Sequence, residues 1–187
     1  MVENAGGYVQ TSRTKSIAFC GLCIALMAVC SWITVPFGPV PFTLQTFAAV
    51  FAFLLLKPKE ALTSISLYLL MGAIGLPMFS SMRGGFGVIL GPTGGFLWGF
   101  LLGAVVALGF IKLATLKLPE HHIAVDAIAG VLFLLVCYAC GWFQLAAVAY
   151  MGLAAAFAVG VAPFIVIDAV KLVVAIALAR AVRKAVY

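Results

Sequence analysis

Asp168 and Lys171 interrupt the apolar run that follows Pro163. They stand five and eight positions beyond that proline, which is about 7 and 12 Å along an α-helix. Three residues apart, they share one helix face. A charge at mid-membrane depth costs about 2.5–3.5 kcal/mol, so such residues face a cavity or a partner. Two chemistries fit the pair. It can be an ion-paired strut inside a bundle, or the polar wall of a ligand site. In the second case the carboxylate accepts ligand N–H groups while the ammonium donates or neutralises it. Gln45, expected at the outer start of another helix, adds a donor and an acceptor at the same level.

The stretch 75–95 favours the ligand site. It holds seven glycines, two prolines and one arginine, Arg83, in 21 residues. Loops of this length and composition are functional or disordered. Disorder fits poorly with Leu76, Met78, Phe79, Phe86, Val88, Ile89 and Leu90, which favour burial. An ordered loop over a binding site is expected, with Gly84, Gly85, Gly94 and Gly95 letting its backbone close on a ligand. The alternative is an apolar connector resting on lipid headgroups.

Other motifs carry less. Cys20-x-x-Cys23 and Cys137-x-x-Cys140 have zinc-like spacing, but they fall at opposite ends of different helices, so they read as small buried hydrophobes and no metal site is expected. His121 and His122 read as a solvated turn. GPTGG lacks the lysine and hydroxyl of a phosphate loop, and HExxH and GxSxG do not occur. Nothing here would run an enzyme's chemistry.

The elements that must position these residues are membrane spans. The chain of 187 residues is 66% hydrophobic and 9% charged, against roughly 45–50% and 25% for soluble domains. One membrane domain is expected. The net charge of +6 does not point to nucleic acid, because the basic residues are scattered at helix ends. Residues 1–12 read as a frayed cytoplasmic tail. An all-α fold of six spans is expected, at about 16–35, 42–56, 61–75, 94–113, 123–141 and 163–182, with outer loops 36–41, 76–93 and 142–162. The loop 142–162 is apolar enough to be interfacial or re-entrant. Six spans leave Arg13, Lys15, Lys57, Lys59, Lys112, Lys117, Arg180, Arg183 and Lys184 on the cytoplasmic side with both termini, and only Arg83 outside. Trp32, Trp98 and Trp142 then fall near outer helix ends, as an aromatic belt would, although one of them could stack on a ligand. Asp126, in the first turn of the fifth span, complements the helix dipole. Ala18, Gly21, Ala25 and Ala28 form a small-residue flank on the first span, suited to helix–helix contact in lipid.

Val40-Pro41-Phe42-Thr43-Leu44-Gln45, Gly75-Leu76-Pro77, Gly84-Gly85, Leu90-Gly91-Pro92-Thr93-Gly94-Gly95-Phe96 and Asp168-x-x-Lys171 resemble the BioY family. These are the substrate-binding S components of energy-coupling-factor (ECF) transporters for biotin. The resemblance runs from about Arg13 to Lys184 and departs at Ile167, where glycine is frequent in the family. It implies a six-helix S-component fold in the bacterial plasma membrane, with both termini cytoplasmic and biotin bound under the outer loops. It implies partners too: a transmembrane coupling subunit, docked on the Ala18–Gly21–Ala25–Ala28 flank, and two ATP-binding-cassette ATPases. Biotin would be the transported ligand, and no cofactor is implied. Asp168 would then accept ureido N–H bonds, Lys171 would serve the ureido oxygen, and Arg83 would attract the valerate. A self-sufficient ion-coupled carrier with Asp168 as its proton site is the other reading, although no inverted pair of broken helices is evident. A membrane enzyme using Asp168 as acid or base ranks behind both.

Overall fold

The computed structural model describes residues 13–117 and 122–186. The tail 1–12, and Pro119, Glu120 and His121 of the expected inner turn, lie outside the described residues. Helix α1 spans Arg13–Trp32 and gives way to an extended hairpin, because Pro36, Pro39 and Pro41 cannot continue a helix. Strand β1 (Thr34–Val35) pairs antiparallel with β2 (Phe42–Thr43), Thr34 opposite Thr43. Helix α2 follows as Gln45–Leu55. It is apolar all round and sits in the middle of the molecule, with Ala48, Ala49, Ala52 and Phe53 fully buried. At 11 residues it is about 16 Å long, well short of a bilayer core of about 30 Å. Helix α3 (Pro58–Ala73) starts with proline in its first turn.

Beyond α3 the loop carries a short 3-10 turn, Ser80–Met82, and the one-turn helix α4, Phe86–Ile89. Helices α5 (Gly94–Lys117) and α6 (Ile123–Val148) then pack along each other. The contact is built on Gly95, Gly99 and Gly103, spaced by four on one side of α5. A Cβ at these positions would run into Cys140, Cys137 and Phe133 of α6 respectively. This is the close approach that small residues permit in membranes.

Helix α6 continues seven residues past the expected end at 141, through Trp142 to Val148. Gly141 does not stop it, because that glycine makes room for the Phe96 ring. The expected outer segment 142–162 is therefore helical in most of its length, with α7 at Leu153–Gly160. A turn at Ala162–Phe164 leads into α8, Ile165–Val186, which packs on α2 and α6.

Among the described residues, four helical segments are long and apolar enough to cross a membrane: Arg13–Trp32, Gly94–Leu116, Ile123–Val148 and the run Leu153–Ala185. The chain is a helical membrane protein. At the end of α8 farthest from Asp168, Arg180 Nη1 donates to Asp126 Oδ2 at 2.9 Å, and Arg183 donates to the Leu54 carbonyl. Asp126 does lie in the first turn of α6, but it is fully buried and ion-paired, so it ties α6 to α8 beyond any dipole effect. On α1, Ala18, Gly21 and Ala25 are exposed, whereas Ala28 is buried in the core. No side chain comes within 4 Å of a Cβ built on Gly21.

Candidate functional site

The start of α2 and the start of α8 meet at one end of the bundle, under the hairpin and the 75–95 loop. Between them lies a cavity of about 630 Å³ of atom-free space, its open mouth included. Phe79, Phe96, Phe100 and Phe164 supply apolar walls, and Phe42 stacks on Phe164 with centroids 4.4 Å apart. Polar groups reach the cavity from Thr43, Gln45, Ser80, Thr93, Tyr138, Asp168 and Lys171. Polar groups converging between apolar walls are the pattern of a specific small-molecule site.

The charged pair is held on all sides. Lys171 Nζ donates to Asp168 Oδ1 at 2.8 Å and to the Thr43 carbonyl at 2.7 Å, and lies 5.9 Å from the centre of the Phe42 ring. Tyr138 of α6 donates its hydroxyl to Asp168 Oδ2 at 2.7 Å. Asp168 and Lys171 are 3% and 9% exposed, so both charges are nearly desolvated while still bordering the cavity. An ionised carboxylate offers about four lone-pair sites and an ammonium three protons. The contacts named use two of each, which leaves both groups able to bind a ligand with a donor beside an acceptor.

Gln45 also lines the cavity, its Nε2 bonded to the Tyr68 hydroxyl at 2.6 Å. The structure thus brings together Gln45, Asp168 and Lys171 from distant parts of the sequence. Arg83 is not on the cavity wall. It is exposed and donates to the Ser80 carbonyl at 3.2 Å and the Ser80 hydroxyl at 3.3 Å, which places it beside the rim residue Ser80.

Three of the four glycines, Gly84, Gly94 and Gly95, are packing positions. Gly84 lies against the backbone of Gly75 and Leu76, where a Cβ would overlap both. Gly85, at φ +97°, donates its N–H to the Gly72 carbonyl at 2.6 Å. A Cβ on Gly94 would strike the Ile89 carbonyl, and one on Gly95 the Cys140 carbonyl. None of the four borders the cavity as described. They shape the loop's backbone contacts, and the residues of 75–95 that face the cavity are Phe79, Ser80, Val88 and Thr93.

Sequence reasoning missed three supports. Tyr138 orients Asp168 from α6. Tyr68 holds Gln45. Gln144, in the outer extension of α6, donates Nε2 to the carbonyls of Ile89 and Gly91 at 2.9 and 2.8 Å, which ties down the loop entering α5. The one available signal was a polar side chain in an apolar helix, which Tyr138, Gln144 and Tyr68 each display. The tryptophans do not line the cavity. Trp32 and Trp142 donate their indole N–H to the carbonyls of Pro77 and Leu153 at 2.6 and 2.7 Å, pinning loops. Cys137 borders the cavity, and all five cysteines are free thiols. Among the described residues no three His, Cys, Asp or Glu side chains gather as a metal site would require.

A sequence profile of the BioY family matches residues 4–187. The biotin transporter BioY of Thermotoga maritima is 39% identical over 164 residues, covering 88% of this chain and 93% of that protein. The probable biotin transporter BioY of Pyrococcus horikoshii is 38% identical over 169 residues, covering 90% and 96%. In three dimensions the chain resembles the 2.1 Å crystal structure of the S component for biotin from an ECF-type ABC transporter. The TM-score is 0.85 at 24% identity, over 94% of this chain and 95% of that one.

Proposed function

This chain belongs to the BioY family, and we propose that it binds biotin and serves its uptake as the S component of an ATP-driven ECF transporter. The observation that carries the reading is the buried Asp168–Lys171 pair on the wall of a cavity that also has phenylalanine walls. A cyclic urea presents N–H donors beside a carbonyl acceptor, which complements a carboxylate beside an ammonium. The thiophane ring and methylenes suit the phenylalanine walls, and Arg83 at the rim suits a carboxylate reaching outward. In this reading α2 and α3, with their flanking residues, complete six spans of a single membrane domain. Both termini lie on the cytoplasmic side of a bacterial plasma membrane, as the distribution of lysine and arginine favours.

Energy would come from partners: a transmembrane coupling subunit and two ATP-binding-cassette ATPases. The exposed Ala18, Gly21 and Ala25 offer that subunit a surface for close helix approach. Isothermal titration of the detergent-solubilised chain with biotin, without nucleotide or metal, tests the ligand. Saturable heat with biotin and none with pantothenate is expected. Equal heats for the two would overturn the assignment.

A further inference from the structure

Gln45 and Tyr68 make a second polar arrangement at the cavity, apart from the charged pair. The Tyr68 hydroxyl lies 2.6 Å from Gln45 Nε2 and 2.7 Å from the Met78 carbonyl. Tyr68 is fully buried and Gln45 is 5% exposed. A proton count sets the direction of both bonds. A carbonyl only accepts, so the contact with Met78 takes the single hydroxyl proton of Tyr68. Lone pairs are all that oxygen has left. Gln45 must therefore meet it with its NH₂ group, which orients the amide through the hydrogen-bond network.

The consequence falls on the other end of the amide. Gln45 Oε1 is turned away from Tyr68. It accepts no hydrogen bond from any described residue, and it is not among the buried side-chain atoms left without a partner. It is therefore not sealed off, and Gln45 is one of the residues lining the cavity. The Ser31 hydroxyl of α1 lies 2.6 Å from the Met78 carbonyl and 2.7 Å from the Ala28 carbonyl, and its single proton is shared between the two. The anchor is thus held by α1, α3 and the loop together.

The geometry points to Gln45 as a one-way reader of the ligand, an acceptor that demands a donor, with Tyr68 as the positioning residue that locks its polarity. This rests on the biotin reading and deepens it. A cyclic urea carries two N–H groups; Asp168 takes one and Gln45 takes the other. A ligand with an acceptor at that second position meets an acceptor, and the amide cannot turn over without breaking the Tyr68–Met78 bond.

The test uses two cyclic carbamate analogues of biotin, each with one ureido N–H replaced by a ring oxygen. Affinities are measured by titration of the full-length chain in detergent. Wild type should bind both analogues about tenfold to a hundredfold more weakly than biotin, as an unpaired buried acceptor predicts. In Tyr68→Phe the gap for one isomer should shrink to about threefold, because the freed amide can present its NH₂. The gap for the other isomer, read by Asp168, should stay. A purely structural role for Tyr68 would weaken all three ligands together. Unchanged gaps, or both gaps shrinking alike, would overturn the inference. Gln45→Met leaves the Tyr68–Met78 bond in place and keeps the test open if Tyr68→Phe does not fold. There, too, one isomer's gap must collapse, and its persistence would overturn the inference. No heat from wild type with biotin would instead refute the biotin reading, and this inference would fall with it.

Discussion

Replacing both members of the charged pair, Asp168→Leu with Lys171→Met, separates a strut from a ligand site. Lys171 spends one bond on Asp168 and one on the Thr43 carbonyl, and Asp168 accepts one from Tyr138. Removing one partner alone strands a nearly desolvated charge, and breaking a buried pair this way costs about 3–5 kcal/mol. Both single variants, Asp168→Leu and Lys171→Met, should therefore melt well below wild type. Removing both charges leaves no stranded ion, so the double variant should recover much of that stability. Affinity should not recover. Two ligand hydrogen bonds to charged groups contribute about 1.5–3 kcal/mol each. Their loss is roughly a 10²- to 10⁴-fold rise in Kd at about 1.4 kcal/mol per decade. Asp168→Asn keeps the shape and one acceptor, so it should weaken binding only about tenfold, in line with neutral bonds about half as strong as charged ones. Thermal melting and biotin titration on the same detergent preparations read both quantities. Wild-type affinity in the double variant would refute the reasoning and leave the pair a strut.

The α5–α6 seam predicts a contrast between glycines: Gly99→Ala should lower the melting temperature because its Cβ would lie 2.6 Å from Cys137 Cα, while Gly109→Ala, in open space on the same helix, should leave it unchanged or slightly raised. Gly21→Leu and Ala25→Trp on the exposed flank of α1 should spare biotin titration heats but reduce transport by the assembled complex, and normal assembly and uptake with both would argue against that face. Proteoliposomes holding this chain alone should not concentrate biotin under a proton gradient; sustained accumulation there would favour the ion-coupled carrier.

The charged pair was legible because two ionisable side chains in an apolar run have few explanations, and their spacing alone puts them on one face. Gln45 was legible for the same reason. Tyr138 was not, because a tyrosine in a membrane helix has an ordinary interfacial role, and its hydroxyl meets Asp168 only through the packing of α6 against α8. The glycines carry a second role that their composition hides. Gly84, Gly85, Gly94 and Gly95 sit in a loop-like composition, which suggests freedom to close on a ligand. The structure uses Gly84, Gly94 and Gly95 for tight backbone contact instead. The signal for the seam was in the sequence: Gly95, Gly99 and Gly103 repeat at intervals of four, the spacing of a membrane helix seam. Helix α6 runs on past Gly141 to Val148. A glycine can equally be the gap into which a ring from the neighbouring helix fits, and Phe96 occupies that gap.

The half-length α2 explains why a cavity exists at this end at all. Between Trp32 and Gln45 the chain runs as a proline-rich extended hairpin and not as helix. The hairpin lines the cavity, with Val40, Pro41 and Thr43 on the wall. Had α2 begun a turn earlier, the Thr43 carbonyl would have accepted a bond from the helix's own ladder. Lying before the helix, that carbonyl is free to take the Lys171 ammonium at 2.7 Å. The prolines thus act on the site through the backbone. By delaying α2 they leave room for a ligand and also supply the acceptor that keeps Lys171 beside Asp168.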